Sequence, residues 1–131
     1  GLSDFASVKH VPLSSRHKWF SQSKADWYDQ EVFNKILNGT TVDLLMVDGP
    51  PASGFNGRRR LARLPALFAA EKFMNIKCAV ILDDLNRNGE KEIIQIWLDE
   101  SDGYSYFDYS LQAGAAYLRR GEGYAIELQT R

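Results

Sequence analysis

The sequence predicts an α/β domain built around parallel strands, and three observations predict it. Val42–Val47 and Cys78–Leu82 are short, nearly continuous apolar runs of the kind that form strands covered on both faces. Each run ends in aspartate, at Asp48 and at the Asp83-Asp84 pair. The stretch between them carries a helical apolar pattern behind Pro65, so the segment reads as strand, crossover helix, strand. Open α/β sheets bind ligands beyond the carboxyl ends of their strands. The two aspartate-tipped ends are therefore expected on one functional rim.

Taken in order, Phe5–Leu13 reads as a short strand holding Phe5, Val8, Val11 and Leu13. Residues 14–26 are polar and read as a loop. Trp27–Leu37 reads as a helix, with Val32, Phe33, Ile36 and Leu37 on one face. Asn38-Gly39 stops it, because glycine tolerates the left-handed backbone of a helix end. After the strand ending at Val47, Gly49–Gly54 is rich in turn residues. A helix is expected from Pro65 to Phe73, since proline fits a first helical turn. Residues 77–82 form the second apolar strand, and Asn86–Gly89 reads as a turn or cap. Lys91–Asp99 reads as a helix with Ile93, Ile94, Ile96, Trp97 and Leu98. Tyr104–Ser110 and Gly123–Gln129 read as two closing strands, so the whole chain is expected to form one domain.

Composition removes several classes of function. Sixteen basic and 17 acidic side chains give a net charge of −1, and no nucleic-acid footprint is expected. No apolar run approaches the length of a membrane span, and no signal peptide is visible, so a cytoplasmic location is expected. The single cysteine, Cys78, lies in an apolar run and reads as core. His10 and His17 lack the partners of a zinc site. Arg58, Arg59, Arg60 and Arg63 form the one local basic cluster. It reads as a solvated loop and helix start, or as a site for a phosphate or carboxylate.

The chemistry-bearing candidates are Asp48, Asp83 and Asp84. Three carboxylates on one rim suit a hard cation such as Mg²⁺, or a substrate amine or hydroxyl. The structural alternative is capping, with Asp84 capping the helix near Arg87 and Asp48 bonding the amides of its own loop. Trp27 and Tyr28 either line a pocket or pack as core.

The segment VDLLMVDGPP (42–51), then Arg63-Leu-Pro-Ala-Leu67, Val80-Ile-Leu-Asp-Asp84, Arg87, Glu92 and Trp97, resembles the class I S-adenosylmethionine-dependent methyltransferases. His10-Val-Pro-Leu13 and Trp27-Tyr-Asp29 extend the likeness, which covers roughly residues 8–98. The resemblance implies a partial Rossmann-like sheet equivalent to strands three to seven of that family, with antiparallel C-terminal strands. Phe5–Leu13 would be the third strand, Val42–Val47 the fourth and Cys78–Leu82 the fifth. It implies S-adenosylmethionine as cofactor and a small-molecule methyl acceptor. Asp48 would position or deprotonate the acceptor, with Asp83, Asp84, Arg87, Trp27 and Tyr28 around it. In the catechol-type branch, similar acids hold Mg²⁺. There the second acid of the later pair is usually Asn, and a lysine follows the first aspartate. Here those positions are Asp84 and Gly49.

One departure is larger. The family's strand, glycine-rich loop and helix, and the acid that holds the ribose, have no counterpart in these 131 residues. Gly121-x-Gly123 precedes a strand and does not replace them. The resemblance therefore implies half of a methyltransferase, completed by a missing N-terminal half or by a second copy of the chain. A non-catalytic relative of that fold, acting in self-association or partner binding, is the alternative reading. A divalent-metal hydrolase is weaker, because no general base accompanies the three acids. Arg63 and Arg87 read as ties between loops and these acids.

Overall fold

The computed structural model describes residues 1, 4–15, 26–52, 60–109 and 113–122. It is an α/β fold with a mixed four-stranded sheet and a separate two-stranded antiparallel ribbon. The ribbon pairs β1 (Leu13–Ser14) with β2 (Trp27–Tyr28). The sheet takes β3 (Val42–Val47), β4 (Met74–Asp83), β5 (Tyr104–Tyr109) and β6 (Ala115–Arg120). Its order is β3-β4-β6-β5, with β3 parallel to β4 and β6 antiparallel to both neighbours.

The helices begin where local chemistry allows. In α1 (Gln30–Leu37), the Asp29 carboxylate accepts from the amides of Glu31 and Val32 at 3.1 and 3.0 Å, and so caps the start. The helix expected from Trp27 therefore starts three residues later, and the two aromatic residues pair with Leu13 and Ser14 instead. Gly39 closes the helix end with φ +76°. Pro65 opens α2 (Pro65–Ala70), which tightens into a 3-10 turn over Glu71–Phe73. α3 (Asn88–Glu100) begins earlier than expected, because Gly89 and Glu90 are already packed inside. A side chain at Gly89 would meet the Arg60 carbonyl oxygen at 2.3 Å, so only glycine lets the helix start so close to that turn.

One strand expectation fails, and one strand of the sheet is unmarked in the sequence. Phe5–Leu13 is not a strand of the sheet: only Leu13 of that stretch is paired, and Phe5 and Val8 are almost fully exposed. Apolar residues at positions 5, 8, 11 and 13 do not alternate as one covered face of a strand requires, so this part of the predicted sheet is corrected. The strand beside β4 and β5 is Ala115–Arg120, which the sequence pattern does not mark. The predicted strand Gly123–Gln129 lies outside the described residues.

Register sorts the sheet into two faces, because alternate residues point to opposite sides. Leu45 and Val47 pair with Val80 and Leu82, and these pair with Leu118 and Ala116. That row belongs to the core, together with Leu64 and Leu67 around α2 and Ile93 and Trp97 of α3. Trp97 is fully buried, and its Nε1 donates to the Leu64 carbonyl at 2.8 Å, tying α3 to the start of α2. Cys78 is buried in the same layer, as its apolar context predicts. The other face carries Leu44, Met46, Ile81, Tyr117 and Phe107. There Leu44 is 55% and Met46 66% exposed.

Candidate functional site

Because β3 and β4 run parallel, their carboxyl ends share one rim. Asp48 follows β3, Asp83 ends β4 and Asp84 follows it. Each offers a carboxylate oxygen, and these oxygens lie within 4.8 Å of one another. The structure thus brings together the three acids that the sequence singles out.

A buried arginine organises them. Arg63 stands in the turn before α2, and its side chain is 4% exposed. Its Nη2 donates to the Asp48 carbonyl at 3.1 Å and to Asp48 Oδ1 at 3.3 Å. Its Nη1 donates to the Asp83 carbonyl and to Asp84 Oδ2, both at 3.2 Å. A buried guanidinium needs such partners, since an unpaired charge away from water is costly. Arg87 approaches from the exposed side, with Nη1 2.9 Å from Asp84 Oδ2. Both arginines therefore tie the strand ends together.

Asp84 caps no helix: Arg87 is the N-cap residue of α3 and makes no side-chain cap bond. The Asp84 carboxylate is held by the two arginines instead. Its backbone has φ +64°, a left-handed conformation that aspartate tolerates better than most residues. The Asp84 amide donates to Asp83 Oδ1 at 2.8 Å, which fixes the turn.

Glu90 is the site residue that sequence reasoning missed. It is 1% exposed and stands 3.5 Å from Arg63 Nη1. Burial holds its carboxyl above the ordinary carboxylate range, against the pull of Arg63 and Arg87. A signal was present. Glu90 falls on the same helical stripe as Ile93, Ile94 and Trp97, and a glutamate on a buried stripe calls for a buried cation.

Beside Asp48 a cleft of about 150 Å³ opens between the ribbon, α1 and β3. Trp27, Tyr28 and Phe33 form its aromatic wall, and Leu45, Val47 and Ala66 its aliphatic wall. Trp27 is both core and wall, since it belongs to the buried cluster as well. The Tyr28 hydroxyl lies over Gly49, where a side chain would meet it at 2.9 Å. Arg87 stands away from the cleft, among the acids. His10 is exposed, and His17 lies outside the described residues. Of the basic cluster, Arg60 pairs with Glu92 and Arg63 serves the rim; positions 58 and 59 are outside the described residues.

The donor set suits a divalent cation in type: Asp48, Asp83 and Asp84 supply hard oxygens, and a bound Mg²⁺ would polarise a ligand oxygen there. One oxygen of each carboxylate is already engaged by Arg63 or by the Asp84 amide. The fit to S-adenosylmethionine is different. Among the described residues, no strand, glycine-rich loop and helix stand beside β3 to hold the methionine and ribose. No helix of the described residues is long and apolar enough to cross a membrane. The chain matches no family model and no curated protein.

Proposed function

We propose that this chain is the acceptor-side half of a class I S-adenosylmethionine-dependent methyltransferase fold acting on a small molecule. The observation that carries the reading is the joint placement of the three acids and an aromatic cleft at the carboxyl ends of two parallel strands. The antiparallel β6, inserted beside β4, is in keeping with a sheet whose last strand reverses. On this reading the cleft holds the body of the acceptor and Asp48 faces its nucleophilic atom. Asp48 is exposed enough to receive a proton, and Arg63 keeps its carboxylate oriented. Holding the acceptor in line would supply most of the acceleration. The methyl donor is not assigned to residues of this chain.

Titration calorimetry with S-adenosylhomocysteine, with and without Mg²⁺, tests the reading. One-to-one binding supports it, and dependence on Mg²⁺ adds the metal to the site. Absence of binding at millimolar concentration favours a second reading, a non-catalytic association module. The observation on that side is β3 itself, an edge strand of the described sheet with Leu44 and Met46 exposed. Such edges attract further strands. Sedimentation as a dimer that Met46→Lys dissociates would then be expected.

A further inference from the structure

Among the described residues, the cleft beside Asp48 has one sign of charge and apolar walls, one of them aromatic. Among the described residues, Asp48 is the only charged one in its lining, and no lysine or arginine joins it. Among the described residues of the lining, an anionic ligand would meet a carboxylate whose cation, Arg63, lies behind it and is shared with other acids. The ring centroids of Trp27 and Tyr28 lie 4.9 Å apart at an interplanar angle of 66°, so the aromatic wall turns a corner. Ring faces attract cations, most strongly where water is excluded. The surrounding charge points the same way. Asp48, Asp83, Asp84 and Glu90 face two guanidiniums, and Arg63 is shared among Asp48, Asp84 and Glu90. Asp48 takes the longest of Arg63's hydrogen bonds and stays 66% exposed.

We infer that the cleft takes an organic amine: a compact apolar or aromatic body seated against Trp27, Tyr28 and Phe33, with its ammonium on Asp48. As a binding site this stands on the geometry of the cleft. As the class of methyl acceptor it rests on the function proposed above, with Asp48 first taking the ammonium proton so that the nitrogen lone pair is free to accept the methyl group. A hydrated divalent cation on the three acids would leave the aromatic wall without a purpose, whereas an aryl- or alkylamine uses both. Gly49 belongs to the same device, because any side chain there would push the Tyr28 hydroxyl away from the mouth.

The test needs no cofactor. Phenethylamine and its uncharged counterpart 2-phenylethanol are titrated separately into the ¹⁵N-labelled chain. The indole N–H signals are followed, with that of Trp27 assigned from a Trp27→Phe variant. Phenethylamine is expected to shift the Trp27 signal and to bind about tenfold more tightly than the alcohol. In Asp48→Asn, which alters a largely exposed carboxylate and keeps the fold by circular dichroism, that preference disappears. Equal affinity for amine and alcohol, a preference that survives in Asp48→Asn, or no response of the Trp27 signal to either probe would each overturn the inference. Amine binding without S-adenosylhomocysteine binding would leave the inference standing as a binding site and count only against the methyltransferase reading.

Discussion

The two faces of the four-stranded sheet share a backbone and differ in nearly everything else. On one, Val47, Val80, Leu82, Ala116 and Leu118 lie under the helices and merge with Leu64, Leu67, Ile93 and Trp97. On the other, the adjacent residues Leu44 and Met46 stand in the open, and only the middle of the face is closed, at Ala79 and Tyr117. Side-chain chemistry hardly separates the rows: leucine, methionine and isoleucine occupy the second as leucine and valine occupy the first. The difference is one of coverage. Stability is thus expected to come from one face, while the other is a surface suited to contact.

That asymmetry can be broken or sharpened by substitution. The largest effect is expected at the rim that anchors the covered layer. Arg63→Ala removes the group that joins both strand ends to Glu90, and leaves a buried carboxylate behind. A loss of about 3–5 kcal/mol in urea denaturation is expected. Next comes Leu82→Ala, fully buried in the covered row, at about 2–5 kcal/mol by the same measurement. A smaller effect, legible through its pH dependence, belongs to Glu90. Its folded pKa lies above the ordinary value of 4.5, so its contribution is full below that pH and is lost as pH rises through the raised value. Glu90→Gln escapes this loss. Its urea midpoint relative to the parent is expected to rise between about pH 4 and about pH 8; a flat difference would mean that Arg63 compensates burial completely. The smallest effect is expected one residue from the covered row. Met46→Ser should change stability by less than about 0.5 kcal/mol. A large loss there would show that the open face is covered in solution and would erase the comparison.

Much of this architecture is legible in the amino-acid sequence. The apolar runs at 42–47 and 78–82 announce the central parallel pair, and the aspartates at their ends announce the shared rim. Pro65 marks its helix, and Arg63 is readable as a tie. What fails has physical causes. Phe5–Leu13 has the apolar content of a strand but not its alternation, and Phe5 and Val8 stay almost fully exposed. Ala115–Arg120 is hidden because two alanines and two arginines surround Tyr117 and Leu118, and its burial comes from lying between β4 and β5. Pairing of that kind is a property of the neighbours. Trp27 and Tyr28 stand out as pocket candidates, but not Phe33 or Ala66, since the cleft is closed by residues distant in sequence. Glu90 escapes notice because a single acid in a helix is ordinary until its face is known.

The way Arg63 is bonded has a dynamic consequence. Its guanidinium grips two main-chain carbonyls, of Asp48 and Asp83, as well as carboxylates. Strand tips beside a ligand site commonly breathe, opening at little cost while the centre of the sheet stays shut. Here neither tip can swing away without stripping a buried cation of its oxygens. The rim therefore opens with the core, and amide hydrogens of the flanking strand ends should exchange on the timescale of the whole domain.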